Sequence, residues 1–264
     1  MPAFYPLTVK SIIRETPQAV SIQFHIPEEW QKDLRYREGQ YLAMRAMLDG
    51  EDVRRNYSYS SSPLDDAPTI TVKEVAGGRM STYLNRELKV GDTLEVMRPM
   101  GRFFAPRYEN EGAAYFLIGG GSGITPLMSI AKTVLHEEPN SHLHLLYGNE
   151  SVEQTIFLEA WESLRQQYGE RLTIQYVMQN PPQDRDDLSV WEGITNAANI
   201  NRFLDEYVPK HEVCEYFTCG PAPMMEAVET ILEGKGVDKK KIHLEYFTTA
   251  GKRSKKSTSV GKKP

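Results

Sequence analysis

Tyr115-Phe116-Leu117-Ile118-Gly119-Gly120-Gly121-Ser122-Gly123-Ile124-Thr125-Pro126 decides how this chain is read. A short apolar run enters a loop with four glycines in five positions, and Pro126 to His136 then has helical periodicity. A strand, a glycine turn and a helix form the context in which a backbone approaches a dinucleotide, because glycine has no Cβ in the way. The helix start adds free N–H groups and the positive end of a dipole. Gly120, Gly121 and Gly123 are therefore candidate nucleotide contacts, with Thr125 placed to cap the helix and Pro126 suited to its first turn. The pattern is G-x-G-x-x-P, so Pro stands where the usual fingerprint has its third Gly. A tight turn that binds nothing is the competing reading.

Downstream the pattern alternates. Strands are expected at His142 to Tyr147, Leu172 to Met178, Val213 to Cys219 and Ile242 to Phe247. Helices are expected at Glu153 to Tyr168, Asn201 to Val208 and Pro223 to Glu233. Such alternation implies βαβ units and a parallel, Rossmann-like sheet. Upstream, Val20 to Ile26 alternates apolar and polar residues, and Gln40 to Met47, Thr69 to Val75 and Leu94 to Met97 are also strand-like. Only Ser81 to Leu88, opened by Gly77-Gly78, reads as helix there. Period-2 segments broken by Gly, Pro and Asp turns suggest an antiparallel barrel or sandwich. The expected organisation is a β-barrel domain over 1–108, an α/β domain over 109–250 and a basic linker or tail over 251–264.

Composition excludes several classes. Of 264 residues 40% are apolar and 25% charged, as in an ordinary globular protein. The sequence has no apolar run long enough to cross a bilayer, and Met1 to Lys10 lacks the apolar core of a signal peptide, so a cytoplasmic protein without membrane contact is expected. Two cysteines cannot make a four-thiolate zinc site or an iron–sulfur cluster. The six histidines, His25, His136, His142, His144, His211 and His243, have no metal-ligand spacing, so no metal site is expected. Net charge is −5, yet 251–264 carries six lysines or arginines and no acid. Without those six, 25 basic residues face 36 acidic ones, and a body at −11 repels nucleic acid. The Lys/Ser/Gly tail reads as a solvated linker; a nucleic-acid arm is its alternative.

Three further stretches carry chemistry. Arg54-Arg55-Asn56-Tyr57-Ser58-Tyr59-Ser60-Ser61-Ser62-Pro63 combines two guanidiniums, two phenols and four hydroxyls. Arginine suits phosphate, a tyrosine face suits a flat heterocycle, and a neighbouring hydroxyl can bond a ring nitrogen. An exposed strand edge with a Ser-rich turn fits the same residues. Gly77-Gly78-Arg79-Met80-Ser81-Thr82 is a second glycine pair before a helix, with Ser81 available as cap, although an ordinary capped helix fits as well. Cys219-Gly220-Pro221 ends a strand before a helix, where α/β sheets place ligands. Cys214 is five residues away, its thiol facing the other side of the strand, and reads as a small hydrophobe.

Taken in order, these residues carry a resemblance. Arg55-Asn56-Tyr57-Ser58, the Gly77 helix start and Gly91-Asp92-x-Leu94-Glu95-Val96-x-x-Pro99-x-Gly101-x-Phe103 resemble the flavin domain of the ferredoxin–NADP reductase superfamily. Gly119 to Pro126 and Cys219-Gly220-Pro221 resemble its pyridine-nucleotide domain, and the match covers about residues 5 to 250. The ending His243-Leu244-Glu245-Tyr246-Phe247-Thr248-Thr249 and the strand Ile70-Thr71-Val72-Lys73 are similar to reductase components of multicomponent oxygenases, those of phenylacetyl-CoA epoxygenases above all.

The resemblance implies a Greek-key barrel binding FAD. Arg55, with Asn56, would contact its phosphate, Tyr57 would stack on the isoalloxazine, and Ser58 would lie near N5. Thr71, Val72 and Lys73 would run beside the flavin, and Gly78, Met80, Ser81 and Thr82 would hold pyrophosphate. Phe247 would cover the other flavin face. Gly120 to Pro126, with Gly220 and Pro221, would hold NADH or NADPH, and Cys219 and Glu245 would lie near the nicotinamide. Hydride would pass from nicotinamide to flavin, with Ser58, Cys219 and Glu245 as the catalytic set. Single electrons would then go to a [2Fe–2S] ferredoxin serving an oxygenase such as phenylacetyl-CoA epoxygenase. In those relatives a basic segment leads into a ferredoxin domain whose four cysteines are not among these 264 residues. The cluster is therefore expected on a separate or missing ferredoxin domain, in cis or in trans. A stand-alone ferredoxin or flavin reductase, and a subunit that binds both cofactors without turnover, are the alternatives. Glu150, at the end of the second α/β strand, is placed to face the adenosine ribose, which leans toward NADH; Arg185 could supply an opposing charge.

Overall fold

The computed structural model describes residues 4–108, 112–207 and 213–247. The expected linker or tail, 251–264, and Thr248 and Thr249 lie outside them.

The first half is a six-stranded antiparallel sheet of β1 (Tyr5–Thr16), β2 (Ala19–His25), β3 (Tyr41–Leu48), β4 (Glu51–Ser58), β5 (Thr69–Lys73) and β6 (Thr93–Val96), in spatial order β4-β3-β6-β1-β2-β5. The outermost strands are joined where Tyr59 bridges Ile70, which closes the sheet into a barrel. The inside is apolar because alternate residues point inward: Val20, Ile22 and Phe24 of β2 meet Ile70 and Val72 of β5. One helix, α1 (Arg79–Arg86), starts two residues before the expected Ser81.

The second half is a parallel sheet of β7 (Ala114–Gly120), β8 (His142–Asn149), β9 (Leu172–Met178), β10 (Val190–Glu192), β11 (Cys214–Cys219) and β12 (Ile242–Glu245), in spatial order β10-β9-β8-β7-β11-β12. Every residue of β7 is buried, as in a parallel strand covered on both faces. Helices α2 (Ile124–Glu137) and α3 (Leu158–Tyr168) cover one face, and α4 (Ala197–Glu206) and α5 (Ala222–Gly234) the other. The short strand β10 has no counterpart in the sequence reading.

Helix α3 begins five residues later than its periodicity suggests. Thr155, Ile156 and Phe157 are buried, and Phe157 takes a left-handed φ of 63° that breaks the helical path. Core burial overrides local propensity there.

The two halves pack tightly. Helix α2 is buried on almost every side, between its own sheet and the barrel. Ser129 Oγ donates to the Ser61 carbonyl at 2.6 Å, the Ser62 and Thr133 hydroxyls share a 2.8 Å bond, and Lys132 pairs with Asp65. Ala19 of β2 belongs to the core of the α/β half.

Candidate active site

Strand β4 divides the two arginines that the sequence offered together. Arg54 is held by Asp52, with Nη2 2.6 Å from Oδ2. Arg55 points Nη1 at the Arg54 carbonyl, at 2.6 Å, and has no carboxylate partner among the described residues. Its charge remains available to an anion. Tyr57 packs against the barrel core, and burial pushes its phenol well above the ordinary range. Ser58 is buried at the end of the strand.

The hydroxyls at the helix starts do something other than expected. Gly78, not Ser81, is the N-cap of α1. Ser81, in the first turn, donates to the Gly78 carbonyl and accepts from Val75 N–H, both at 3.1 Å. A Cβ on Gly78 would lie 2.5 Å from Ser81 Oγ, so this fold-back needs glycine. The turn hydroxyl is spent on the loop, and the leading amides of the helix carry no side-chain cap. Such a start accepts phosphate. The Thr82 amide is taken by the Gly78 carbonyl at 2.9 Å. In the glycine loop, Thr125 likewise does not cap α2; its hydroxyl donates to the Ser122 carbonyl at 3.1 Å.

In the parallel sheet, strand order reverses at β7, and ligands bind at such a crevice beyond the carboxyl ends of the strands. Gly119 pairs in register with Cys219, and Cys219 with Glu245. A Cβ on Gly123 would sit 2.0 Å from the Cys219 carbonyl oxygen, so glycine lets the loop lie directly on the end of β11. Cys219 is fully buried, and desolvation, with Glu245 beside it, holds its thiol well above the ordinary value. A thiol kept protonated is not a nucleophile at neutral pH. Burial also raises the Glu245 carboxyl. Cys214 and Cys219 fall in apolar clusters on opposite faces of the sheet.

A cavity of about 460 Å³ opens between the two halves. The barrel contributes Arg55 to Ser58, Thr71 to Lys73, and Gly77, Gly78, Met80 and Ser81; the glycine loop contributes Ser122 and Thr125; Phe247 completes the wall. An adjoining cavity of about 470 Å³ shares Arg55, Asn56, Ser58 and Phe247 and adds Tyr41, Arg54, Glu245 and Tyr246. Phe247, 43% exposed, thus stands between the two. Sequence reading missed Ser122, Tyr41 and Tyr246; Ser122 lies inside the decisive loop, where the glycines, Thr125 and Pro126 drew notice. A larger space of about 680 Å³, between β2 and Arg107, contains none of the candidate cofactor or catalytic residues.

At the end of β8, Glu150 is exposed and its carbonyl accepts from Asn180 N–H at 2.8 Å. Arg185 is not free to oppose it. Asp187 grips its guanidinium at 2.9 and 3.0 Å, and Glu159 approaches to 3.3 Å.

Comparison with known proteins agrees with this architecture. Residues 6–104 match the oxidoreductase FAD-binding domain and residues 117–230 the oxidoreductase NAD-binding domain. The chain is 38% identical, over 98% of its length, to a subunit of the 1,2-phenylacetyl-CoA epoxidase of Escherichia coli (strain K12), and it covers 72% of that subunit. The chain belongs to the ferredoxin reductase family. It carries the flavin and nicotinamide-nucleotide units of an NAD(P)H-dependent flavoprotein reductase. It is also 34% identical, over 92% of its length, to the ferredoxin reductase component of 3-ketosteroid-9-alpha-monooxygenase from Rhodococcus rhodochrous, and spans 65% of that protein. Among solved structures, the FAD/NAD-binding domain of nitric oxide dioxygenase from Vibrio cholerae O1 biovar El Tor superposes with a TM-score of 0.76 at 27% identity, over 94% of this chain and 99% of that one. No helix among the described residues is long and apolar enough to cross a membrane.

Proposed function

We propose that this reductase takes hydride from NAD(P)H onto FAD and passes single electrons to a [2Fe–2S] ferredoxin centre, in cis or in trans, that serves a cytoplasmic oxygenase of the phenylacetyl-CoA epoxygenase type. One observation carries the reading: barrel residues, glycine-loop residues and Phe247 line a single cavity, so a ring bound by the barrel meets a nucleotide bound by the sheet. FAD, when bound, converts a two-electron hydride into one-electron steps. The protein's part is to hold and align the reactants.

In this reading 1–108 is the flavin unit, 109–250 the nucleotide unit and 251–264 the linker toward the acceptor. Arg55 and the start of α1 hold phosphate, the Met80 and Ser81 amides leading, Gly78 as the turn before them and Thr82 through its hydroxyl, since the Gly78 and Thr82 amides are bonded within the turn; Asn56 stands beside Arg55. Tyr57 and Phe247 supply apolar faces for the flavin ring. Strand β5 supplies backbone for the ring edge. Pro68 O accepts from Phe24 and Glu74 N–H donates to Gln18, so the even-numbered peptides of β5 face β2. The odd-numbered peptides face the other edge, where the Tyr59–Ile70 bridge sets Thr69 and Thr71 against Ser60 and Ser58, so the peptide of Lys73 is the one turned to the cavity. Gly120, Gly121, Gly123, Thr125 and Pro126, with Gly220 and Pro221, receive the nucleotide, and Glu150 receives its ribose. Ser58 and Glu245 offer a hydroxyl and a carboxyl to the reaction zone, while buried Cys219 shapes the floor beneath it.

An anaerobic titration tests the proposal. The purified protein should be yellow and bleach with one equivalent of NADH, and added ferredoxin should accelerate cytochrome c reduction. A colourless protein, or one whose bound flavin NADH and NADPH leave oxidised, refutes it.

A further inference from the structure

A chain of buried hydroxyls leads from the flavin cavity along the outer face of the barrel, beneath the α/β half, to a carboxyl in a separate groove. Ser21 and Thr71 are opposite residues of β2 and β5 in a non-hydrogen-bonded pair, the kind that brings side chains closest. Both point outward from the barrel, yet they are 2% and 4% exposed because the α/β half covers that face. Their hydroxyls are 2.8 Å apart. Ser21 Oγ donates to Glu15 Oε1 at 2.5 Å, and Thr71 Oγ1 lies 2.7 Å from Ser60 Oγ, which also reaches the Thr69 carbonyl at 3.3 Å. Thr71 lines the flavin cavity. Glu15, Ser21 and Ser60 line a groove of about 350 Å³ between the two halves.

The hydrogens of this chain have two consistent orders. With Glu15 ionised, Ser21 donates to it, Thr71 donates to Ser21, and Ser60 donates to Thr71. With Glu15 protonated, Glu15 donates to Ser21, Ser21 donates to Thr71, Thr71 turns its hydrogen to the cavity it lines, and Ser60 turns to the Thr69 carbonyl. Each hydroxyl has one hydrogen and spare acceptor capacity, so moving one proton along the chain converts one order into the other.

The geometry points to Glu15, Ser21 and Thr71 as a proton relay between the interdomain groove and the flavin cavity. The inference rests on the flavin reading above. Hydride brings two electrons and one proton, and full flavin reduction takes up a second proton. In the relay the Glu15 O–H breaks and its proton bonds Ser21 Oγ. The Ser21 proton moves to Thr71 Oγ1, and the Thr71 proton enters the cavity. Glu15 is left as carboxylate and regains a proton from water in the groove. No electrons move in the chain. Glu15 touches no reactant and acts through Thr71.

Electrostatics agree. Burial raises Glu15 above the usual carboxylate range, partly offset by the Ser21 bond, so it exchanges a proton nearer neutral pH. Asp65 and Lys132, the other charged side chains lining the groove, are paired with each other.

The test is an infrared difference spectrum of the FAD-loaded protein, followed in time as dithionite reduces it, with stopped-flow reduction by NADH alongside. The parent should show a protonated-carboxyl band that changes on reduction. Glu15→Gln should abolish it, and Thr71→Val should keep the band but uncouple it from reduction. Both should slow reduction by up to about a hundredfold, the lower range for a positioned proton donor. A small permeant acid should restore the rate. Ser21→Ala, which also breaks the chain, serves if Thr71→Val does not fold. No carboxyl change on reduction, or an uncoupled chain with parental kinetics, overturns the relay. Flavin-free protein separates this from a failure of the functional reading. There Ser21→Ala, by removing a donor to the carboxylate, should move the Glu15 titration to higher pH, and an unmoved titration refutes the chain.

Discussion

Replacing Arg55 with alanine, and separately Arg54, tests the division of labour on β4. Arg55 has no carboxylate partner among the described residues, so its guanidinium is free to meet a phosphate. A charge-assisted bond of that kind contributes about 1.5–3 kcal/mol, and each 1.4 kcal/mol is tenfold in affinity. Arg55→Ala should therefore weaken FAD binding roughly ten- to a hundredfold. Arg54 is already paired with Asp52 at the surface, its side chain 57% exposed. Exposed pairs contribute about 0–1 kcal/mol, so Arg54→Ala should shift FAD affinity less than about fivefold. Flavin fluorescence, titrated into flavin-free protein at several salt concentrations, reads both. The Arg55 variant should also lose part of the salt dependence, because one phosphate contact is gone. Parental affinity in Arg55→Ala, or an equal loss in Arg54→Ala, would refute the assignment of the barrel site.

Gly123→Ala should push the glycine loop off the end of β11, since its methyl would overlap the Cys219 carbonyl. Overpacking of this kind costs about 1–3 kcal/mol, so Tm should fall and KM for NADH rise while FAD is retained; unchanged Tm and KM would sink the idea. Because Asp187 and Glu159 hold Arg185, NADH should be preferred, and Glu150→Arg should improve kcat/KM for NADPH by about tenfold or more. A strong NADPH preference in the parent would show that Glu150 does not face the ribose. Cys219, buried and with its thiol held protonated, should resist iodoacetamide at pH 8 until the protein is denatured, as peptide mass mapping would show. Burial raises the Glu245 carboxyl above its value in the unfolded chain, so its contribution to stability is present at low pH and lost as pH rises through the folded value. Glu245→Gln should flatten that part of the stability–pH curve, measured by urea denaturation.

The features that depend on neighbours in the chain were legible without a structure. A glycine turn between an apolar run and a helix, strand alternation with period two, and a change of pattern near residue 107 all rest on backbone conformation or local periodicity. They placed the barrel first and the parallel sheet second, and put Gly120, Gly123, Tyr57 and Gly78 at ends of elements, where ligands meet backbone. The rest depended on how side chains turn once the backbone closes, or on partners far away in sequence. Asp52 is a local partner, two residues from Arg54 on the same face of β4, but that it takes Arg54 and leaves Arg55 without a carboxylate is decided by the rotamers on the paired strand. Nothing local starts α3 at Leu158; burial of Phe157 in the core does. Ser81 and Thr125 looked like caps by spacing, yet their hydroxyls turned to the carbonyls of Gly78 and Ser122 once those turns closed. The hydroxyl chain joins Ser21 to Thr71, 50 residues apart, because β2 and β5 pair in one register and the second half of the chain covers that face. Local conformation is decided within a few residues by sterics and hydrogen bonding, whereas partner choice and burial are decided only when distant segments meet.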